Sequence, residues 1–177
     1  SRLRDTVNIC RMIFRGEKVR YEGKAITLPL PNSEGKAIRI SHDPIDLPIY
    51  LATLGPNSLE YTGEVANGWL GTSFSPDHPE AHLSFIESGA LKNGRTLRDI
   101  DLCVSARVEI GDDLDAMIDK RRAAVAFNMG GMGSADTNFY NDAFKRAGYA
   151  EEASIIQALW LAGKRDEAAK RAPDAMI

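Results

Sequence analysis

The chain has 177 residues, of which 44% are hydrophobic and 27% charged, a composition that excludes a disordered protein and is ample for the core of one domain. Its 22 Lys and Arg against 25 Asp and Glu give a net charge of −3, so we expect no nucleic-acid partner. No apolar run approaches the ~18 residues of a membrane helix, and we expect no membrane association. Cys10 and Cys103 fit no metal-ligand spacing, which favours a reduced, cytoplasmic compartment.

The first part of the chain predicts a helix, a hairpin and a long loop. Apolar residues at helical spacing predict a helix over 3–15 that ends at Gly16. Short β-like runs on either side of Glu22-Gly23 predict a hairpin or turn. Residues 28–48, with four prolines, predict a loop whose length is compatible with an excursion over an active site.

Strands and helices alternate through the middle of the chain. Each predicted strand is short and apolar or alternating, and a helical pattern separates it from the next, which is the arrangement of parallel βαβ units. A helix starting at Ser75-Pro76-Asp77 lies between the second and third strands. The predicted parallel strands are 48–54, 69–72 and 100–110.

These elements predict an α/β fold with a parallel sheet, followed by a helical region over 112–177. A complete eight-stranded α/β barrel takes about 250 residues, so three strands predict a partial TIM barrel. The chain opens directly in a helix and stops just past Pro173. We therefore expect residues 1–177 to form a single unit that is a piece of a longer protein.

The turn after the first parallel strand is a candidate ligand site. Gly55-Pro56-Asn57-Ser58 lies where the strand ends and a helix begins, the position at which α/β folds bind ligands. Free backbone N–H groups and the helix dipole there favour an anion such as a phosphate. An ordinary turn capped by Asn57 or Ser58 explains the same residues. Thr72 and Ser73 end the next strand, and they either donate to the same ligand or form a plain strand end.

Three other motifs point more weakly to chemistry. The Gly-rich segment 128–134 lacks the lysine of a phosphate-binding loop; a flexible loop beside a substrate pocket, with Met129 and Met132 as adaptable contacts, fits it better. His78 and His82 share a helix face but lack a third metal ligand, so we expect no metal site.

Arg107, the third motif, lies on the polar face of the last predicted strand. It either neutralises an anionic cofactor or forms an ion pair with Asp101 or Glu109, and the ion pair is the favoured interpretation. No residue is assigned as a catalytic acid, base or nucleophile.

Several motifs in order carry a family resemblance. They are Arg4–Val7 with Arg15–Glu17 and Tyr21–Gly23, then Pro48–Pro56, and then Ala66–Trp69, in which Asn67 replaces a usual Asp. Together they resemble the bacterial luciferase-like monooxygenase family. Asn128–Gly133 followed by Asn138–Tyr140 resembles the branch that uses the deazaflavin coenzyme F420.

The resemblance implies an oxidoreductase that transfers a hydride between coenzyme F420 and a small organic substrate, with FMN as the alternative cofactor. The predicted strands look like the family's fifth to seventh. The cofactor-binding residues carried over are Thr53, Leu54, Gly55, Pro56, Asn57 and Thr72. We expect the whole protein to be a homo-oligomeric enzyme and this chain alone to be inactive. The alternative is a non-catalytic barrel relative or fragment that binds a flavin-like ligand, or only a partner chain.

Overall fold

A computed structural model describes all residues from Ser1 to Ile177 and contains seven α-helices and five short strands. The chain divides into two compact units, Ser1–Ile49 and Tyr50–Ile177. The expectation of a single unit over 1–177 stays a prediction. None of the helices combines the length and the apolar character that crossing a membrane requires.

The first unit is organised around the buried carboxylate of Asp5. Helix α1 (Arg2–Phe14) carries this residue, and β1 (Tyr21–Glu22) pairs antiparallel with β2 (Thr27–Leu28). The Asp5 carboxylate accepts hydrogen bonds from the N–H groups of Ala25 and Ile26, at 2.6 and 3.0 Å, and from the Tyr21 hydroxyl at 3.0 Å. These bonds, the one from Ala25 foremost, hold the pKa of Asp5 below its usual range. The predicted helix and hairpin are both present.

The second unit contains the parallel sheet that the sequence predicts. Strand β4 (Gly68–Gly71) lies between β3 (Tyr50–Leu51) and β5 (Asp101–Val104), and both pairings are parallel. Helix α2 (Pro56–Val65) connects β3 to β4, and α3 (Glu80–Lys92) lies between β4 and β5. The α/β class is therefore confirmed. Helix α3 begins at Glu80 and not at Ser75–Asp77, because residues 75–79 turn before Pro79 takes the cap position.

Helices α2 and α3 pack so closely that their backbones touch. A methyl group on Gly63 would collide with the Ile86 carbonyl oxygen, and one on Gly89 would collide with the Glu60 carbonyl oxygen. This approach seals a core against the sheet in which Leu59, Trp69, Ile86, Ala90 and Ile100 are buried.

The third strand is shorter in the structure than the predicted range 100–110. Val104 is the last paired residue of β5, and its partner Gly71 is the last residue of β4. Beyond this point the chain has no neighbour to which its backbone can bond, and Val108 and Ile110 are 82% and 94% exposed. An alternating pattern identifies residues suited to a strand, but a strand needs a partner. Of the predicted strand 48–54, only Tyr50 and Leu51 are paired.

The residues after the sheet form a helical layer with the α-helices α4 (Leu114–Ala126), α5 (Phe139–Arg146), α6 (Ala150–Leu161) and α7 (Arg165–Lys170). A 3₁₀ turn at Asp174–Met176 follows α7, and another at Leu97–Asp99 lies between α3 and β5.

The prediction of a Gly-rich loop over 128–134 is wrong for its first residues, which are helical. Phe127–Gly131 continues α4 as a π-helical turn. A side chain at Gly131 would overlap the Trp160 ring of α6, so glycine allows the turn to lie against that helix. The Asn141 amide donates to the carbonyl oxygens of Met129 and Ala153, both at 2.7 Å, and so fastens the turn between α5 and α6.

Candidate functional site

A cavity of about 450 Å³ lies at the carboxyl ends of β4 and β5. The ends of parallel strands are where α/β folds bind ligands, and the volume is within the range of small-molecule sites. Its polar wall consists of Thr72, Ser73, Ser105, Arg121, Asn128 and Tyr140. Its apolar wall includes Phe74, Val125, Met132, Phe144 and Met176.

The polar groups of this cavity have no partners within the protein. None of its hydroxyl or amide side chains forms a hydrogen bond, and Arg121 has no carboxylate within 4.0 Å. The next residue, Arg122, is by contrast paired with Asp119 at 2.7 Å and Asp174 at 2.6 Å. No Asp or Glu lines the cavity. The site therefore carries one unneutralised positive charge surrounded by neutral hydrogen-bond donors.

One residue that lines the cavity has a strained backbone. Ser73, the second residue after β4, has φ +54°, a left-handed conformation that is uncommon for residues other than glycine. Such conformations persist where the surrounding structure imposes them, often at ligand sites. Thr72 and Ser73, which the sequence singled out, both line the cavity.

The π-helical turn brings part of the predicted pocket segment to the same cavity. Asn128 and Met132 line its wall, whereas Met129 is fully buried in the helical core. The expectation that Met129 is an adaptable contact is therefore wrong, because the turn directs it toward α5 and α6. For Met132 the position beside a cavity agrees with the expectation.

The turn after β3 lies outside this cavity, and its first residues are engaged in structural bonds. The Thr53 hydroxyl bonds with that of Thr62 at 2.7 Å, and the Thr53 carbonyl accepts from the Trp69 indole at 2.9 Å. The Leu54 carbonyl accepts from the Arg146 guanidinium at 3.0 Å. These contacts fix the backbone that leads into α2.

Gly55, Pro56 and Asn57 form the start of α2. Gly55 is its cap residue, with φ −79°, and no side chain caps the helix, so neither Asn57 nor Ser58 fills that role. Pro56 has no N–H, and the N–H groups of Ser58 and Leu59 donate to the Gly55 carbonyl. The backbone N–H groups of Gly55 and Asn57 have no acceptor. A Cβ at Gly55 would lie 3.3 Å from the Phe139 ring.

The start of α5 lies between the two sites. Phe139 borders Gly55, and the next residue, Tyr140, lines the cavity.

The sequence did not identify two of the residues that line the cavity, Arg121 and Ser105. The signal for Ser105 was hidden because the predicted strand ran on to residue 110, and Arg121 lies on a helix without any motif.

The two histidines and Arg107 have structural roles. His82 is fully buried between Trp69 and Phe74, with ring centroids 5.5 and 6.0 Å away, and its ring nitrogens have no partner. Burial first, and the nearby Arg146 charge second, lower the pKa of His82 to about 4. His78 lies 3.4 Å from the Glu80 carboxylate. Arg107 pairs with Glu109 at 3.8 Å, as the favoured interpretation expected.

Comparison with known proteins identifies the class of this α/β chain. The profile of the luciferase-like monooxygenase family matches residues 1–177. The chain belongs to this family, and the resemblance seen in the sequence is confirmed.

Three individual comparisons agree with this assignment. The chain is 31% identical over 186 residues to a protein of Mycobacterium tuberculosis provisionally named coenzyme F420-dependent oxidoreductase, covering all of this chain and 54% of that protein. It is 31% identical over 134 residues to the 5,10-methylenetetrahydromethanopterin reductase of Methanopyrus kandleri, covering 76% of this chain and 37% of the reductase.

The solved structure of the coenzyme F420-dependent tetrahydromethanopterin reductase from Methanopyrus kandleri superimposes with a TM-score of 0.70 at 29% identity. The match covers 98% of this chain and 47% of that structure. The chain thus spans about half the length of these relatives or less.

Proposed function

We propose that the whole protein is an oxidoreductase that transfers a hydride between coenzyme F420 and a small organic substrate. Family membership and relatives named for F420 support this proposal, and they favour F420 over FMN. We also propose that β3, β4 and β5, which are parallel and adjacent in chain order, are part of a TIM barrel that residues outside this chain complete.

The turn after β3 has the properties needed to hold the anionic tail of the cofactor. The N–H groups of Gly55 and Asn57 are free at the positive end of α2. A side chain at Gly55 would fill the space between the turn and Phe139. We therefore propose that Gly55 and Asn57 donate to a phosphate, while Thr53, Leu54 and Pro56 hold the turn in place.

When bound, the deazaflavin supplies the hydride chemistry, and the protein binds and orients the reactants. In this chain the residues that can face a reactant line the cavity at the carboxyl ends of β4 and β5, and Thr72 is among them. The single observation that carries the proposal is the family match over residues 1–177, in which the relatives are named for coenzyme F420. Asn128, Met132 and Tyr140, from the segments that resemble the F420-using branch, line the cavity in which a reactant can lie.

A cofactor titration of the whole protein tests the proposal. Purified apoprotein is titrated with coenzyme F420 and, separately, with FMN, and cofactor fluorescence is followed. We expect saturable binding of F420 and at least tenfold weaker binding of FMN. Tight FMN binding without F420 binding would contradict the cofactor assignment. Binding of neither cofactor would favour the non-catalytic alternative.

A further inference from the structure

We propose that the cavity at the carboxyl ends of β4 and β5 binds an oxyanion of the organic substrate, a phosphate or a carboxylate, with Arg121 as the charged contact. This inference rests on the proposed function, because it assumes that a substrate occupies the cavity while the cofactor tail occupies the turn after β3. It adds a substrate class, since it restricts the substrate to molecules that carry a negative charge.

The unpaired charge of Arg121 is the first argument. The adjacent Arg122 is paired with two carboxylates, those of Asp119 and Asp174. Arg121 has none. It also borders a second cavity that includes Glu109, but the Glu109 carboxylate is paired with Arg107 at 3.8 Å and Lys120 at 3.4 Å. A half-buried guanidinium without an internal partner is suited to a planar or tetrahedral oxyanion, to which it can donate two parallel hydrogen bonds.

The neutral donors around Arg121 are the second argument. The hydroxyls of Thr72, Ser73 and Ser105 come from the ends of β4 and β5, and the Asn128 amide comes from the π-helical turn. All of them can donate to an anion, and none is committed to another protein group. Since no carboxylate lines the cavity, nothing in this wall repels an anion.

The geometry separates this site from the proposed cofactor turn. The cavity does not include residues 53–57. Phe139 lies against the turn and Tyr140 against the cavity, so the start of α5 stands between them. A volume of about 450 Å³ also leaves room for more than a phosphate, which suits an organic molecule that carries the charged group.

Charge-removing variants of the whole protein test the proposal. Inorganic phosphate and acetate serve as probes, and their binding to wild type, Arg121→Gln and Arg121→Lys is measured by calorimetry, with F420 affinity measured in parallel. Arg98→Gln is the matched control, because it makes the same substitution at another arginine without a side-chain partner, one that does not line the cavity. Because Arg121 has no internal partner, its variants are expected to fold, and circular dichroism checks this.

We expect Arg121→Gln to bind at least one probe ten or more times more weakly and Arg121→Lys to recover part of the loss. Arg98→Gln should change probe binding less than twofold. F420 affinity should stay within twofold in all variants. Equal probe affinity in wild type and Arg121→Gln, or no probe binding to wild type, would overturn the proposal. An equal loss of F420 affinity in Arg121→Gln would also overturn it, because the cavity would then hold the anion of the cofactor. Probe binding through Arg121 without any F420 binding would refute the proposed function and leave the oxyanion site supported.

Discussion

The guanidinium of Arg146 donates a hydrogen bond to the carbonyl oxygen of Leu54, 3.0 Å away. A helix near the end of the chain thereby fixes the turn that follows the first parallel strand. The same guanidinium donates to the Ala81 carbonyl at 3.2 Å and lies 5.7 Å from the centre of the Phe85 ring. Burial lowers the pKa of Arg146, but an arginine remains charged at neutral pH. Arg146 is therefore a positioning residue for the proposed cofactor turn.

Replacing Arg146 with methionine should lower the free energy of unfolding by about 2–3 kcal/mol, because a hydrogen bond from a charged donor contributes roughly 1.5–3 kcal/mol and water replaces part of the loss. Lys145→Met removes the same charge from a neighbour without an ion-pair partner and should cost less than about 0.5 kcal/mol. Urea unfolding of both variants measures the difference. Equal unfolding midpoints for the two variants would mean that the hydrogen bonds of Arg146 make no net contribution to the free energy of unfolding.

His82 should make the protein sensitive to mild acid. Its pKa is about 4 in the folded state, against about 6.5 in an unfolded chain. The unfolded state therefore binds the proton first as the pH falls, so stability is lost between about pH 6.5 and 4, and the loss due to His82 does not grow further below that range. The total loss is about 3.4 kcal/mol at most.

The variant His82→Phe tests this pH dependence, since it keeps an aromatic ring beside Trp69 and Phe74. Its free energy of unfolding should change less over this pH range than that of wild type. The half-buried His78 and His42 remain in both proteins and act as internal controls. A proton NMR titration of His82 that gives a pKa near 6.5 would refute the explanation.

The sequence predicted those elements whose determinants are local. Helix α1, the β1–β2 pair and the order β3-β4-β5 follow from apolar spacing, turn residues and the alternation of strands and helices. Of the residues that line the cavity, the sequence singled out Thr72 and Ser73, which follow a strand, and Met132 of the Gly-rich segment.

The remainder depends on contacts between distant parts of the chain. The length of β5 is set by where β4 ends, and residues 105–110 carry a strand pattern without a partner. Arg121 belongs to the cavity only because α4 lies beside the ends of β4 and β5. The residue pattern within one segment does not show which distant segments will lie beside it.

The 177-residue chain by itself should show no F420-dependent turnover and should self-associate. The parallel sheet has open edges at β3 and β5, and the segment that follows β5 exposes apolar residues such as Val108 and Ile110. Light scattering and binding of a hydrophobic dye measure the association.

The double variant Val108→Lys and Ile110→Lys should bind less dye and associate less than the wild-type chain. Lysine at Leu161, which is 59% exposed on α6, is the matched control and should change dye binding and association less. A monomeric wild-type chain with low dye binding would contradict the role of the open edge, and measurable hydride transfer by this chain would contradict its expected inactivity.

The variant Gly55→Asp should weaken F420 binding by the whole protein more than tenfold, about 1.4 kcal/mol or more. Gly55 has φ −79°, a value open to any residue, so the glycine is needed for space and not for its conformation. A Cβ there would meet the Phe139 ring at 3.3 Å. The carboxylate of the variant would also place a negative charge beside the N–H groups proposed to hold the phosphate.

Two further variants separate the steric and electrostatic parts of this effect. Gly55→Ala adds the Cβ without the charge, and because Phe139 is 52% exposed and can move, it should weaken binding less than Gly55→Asp. Asn57→Ala keeps the backbone N–H and removes one exposed amide, so its effect should also be smaller, since water can replace that side chain. Cofactor fluorescence titrations give the three affinities, and circular dichroism shows whether each variant is folded. If folded Gly55→Asp binds F420 as tightly as wild type does, the phosphate lies elsewhere and residues 53–57 are an ordinary strand-to-helix turn.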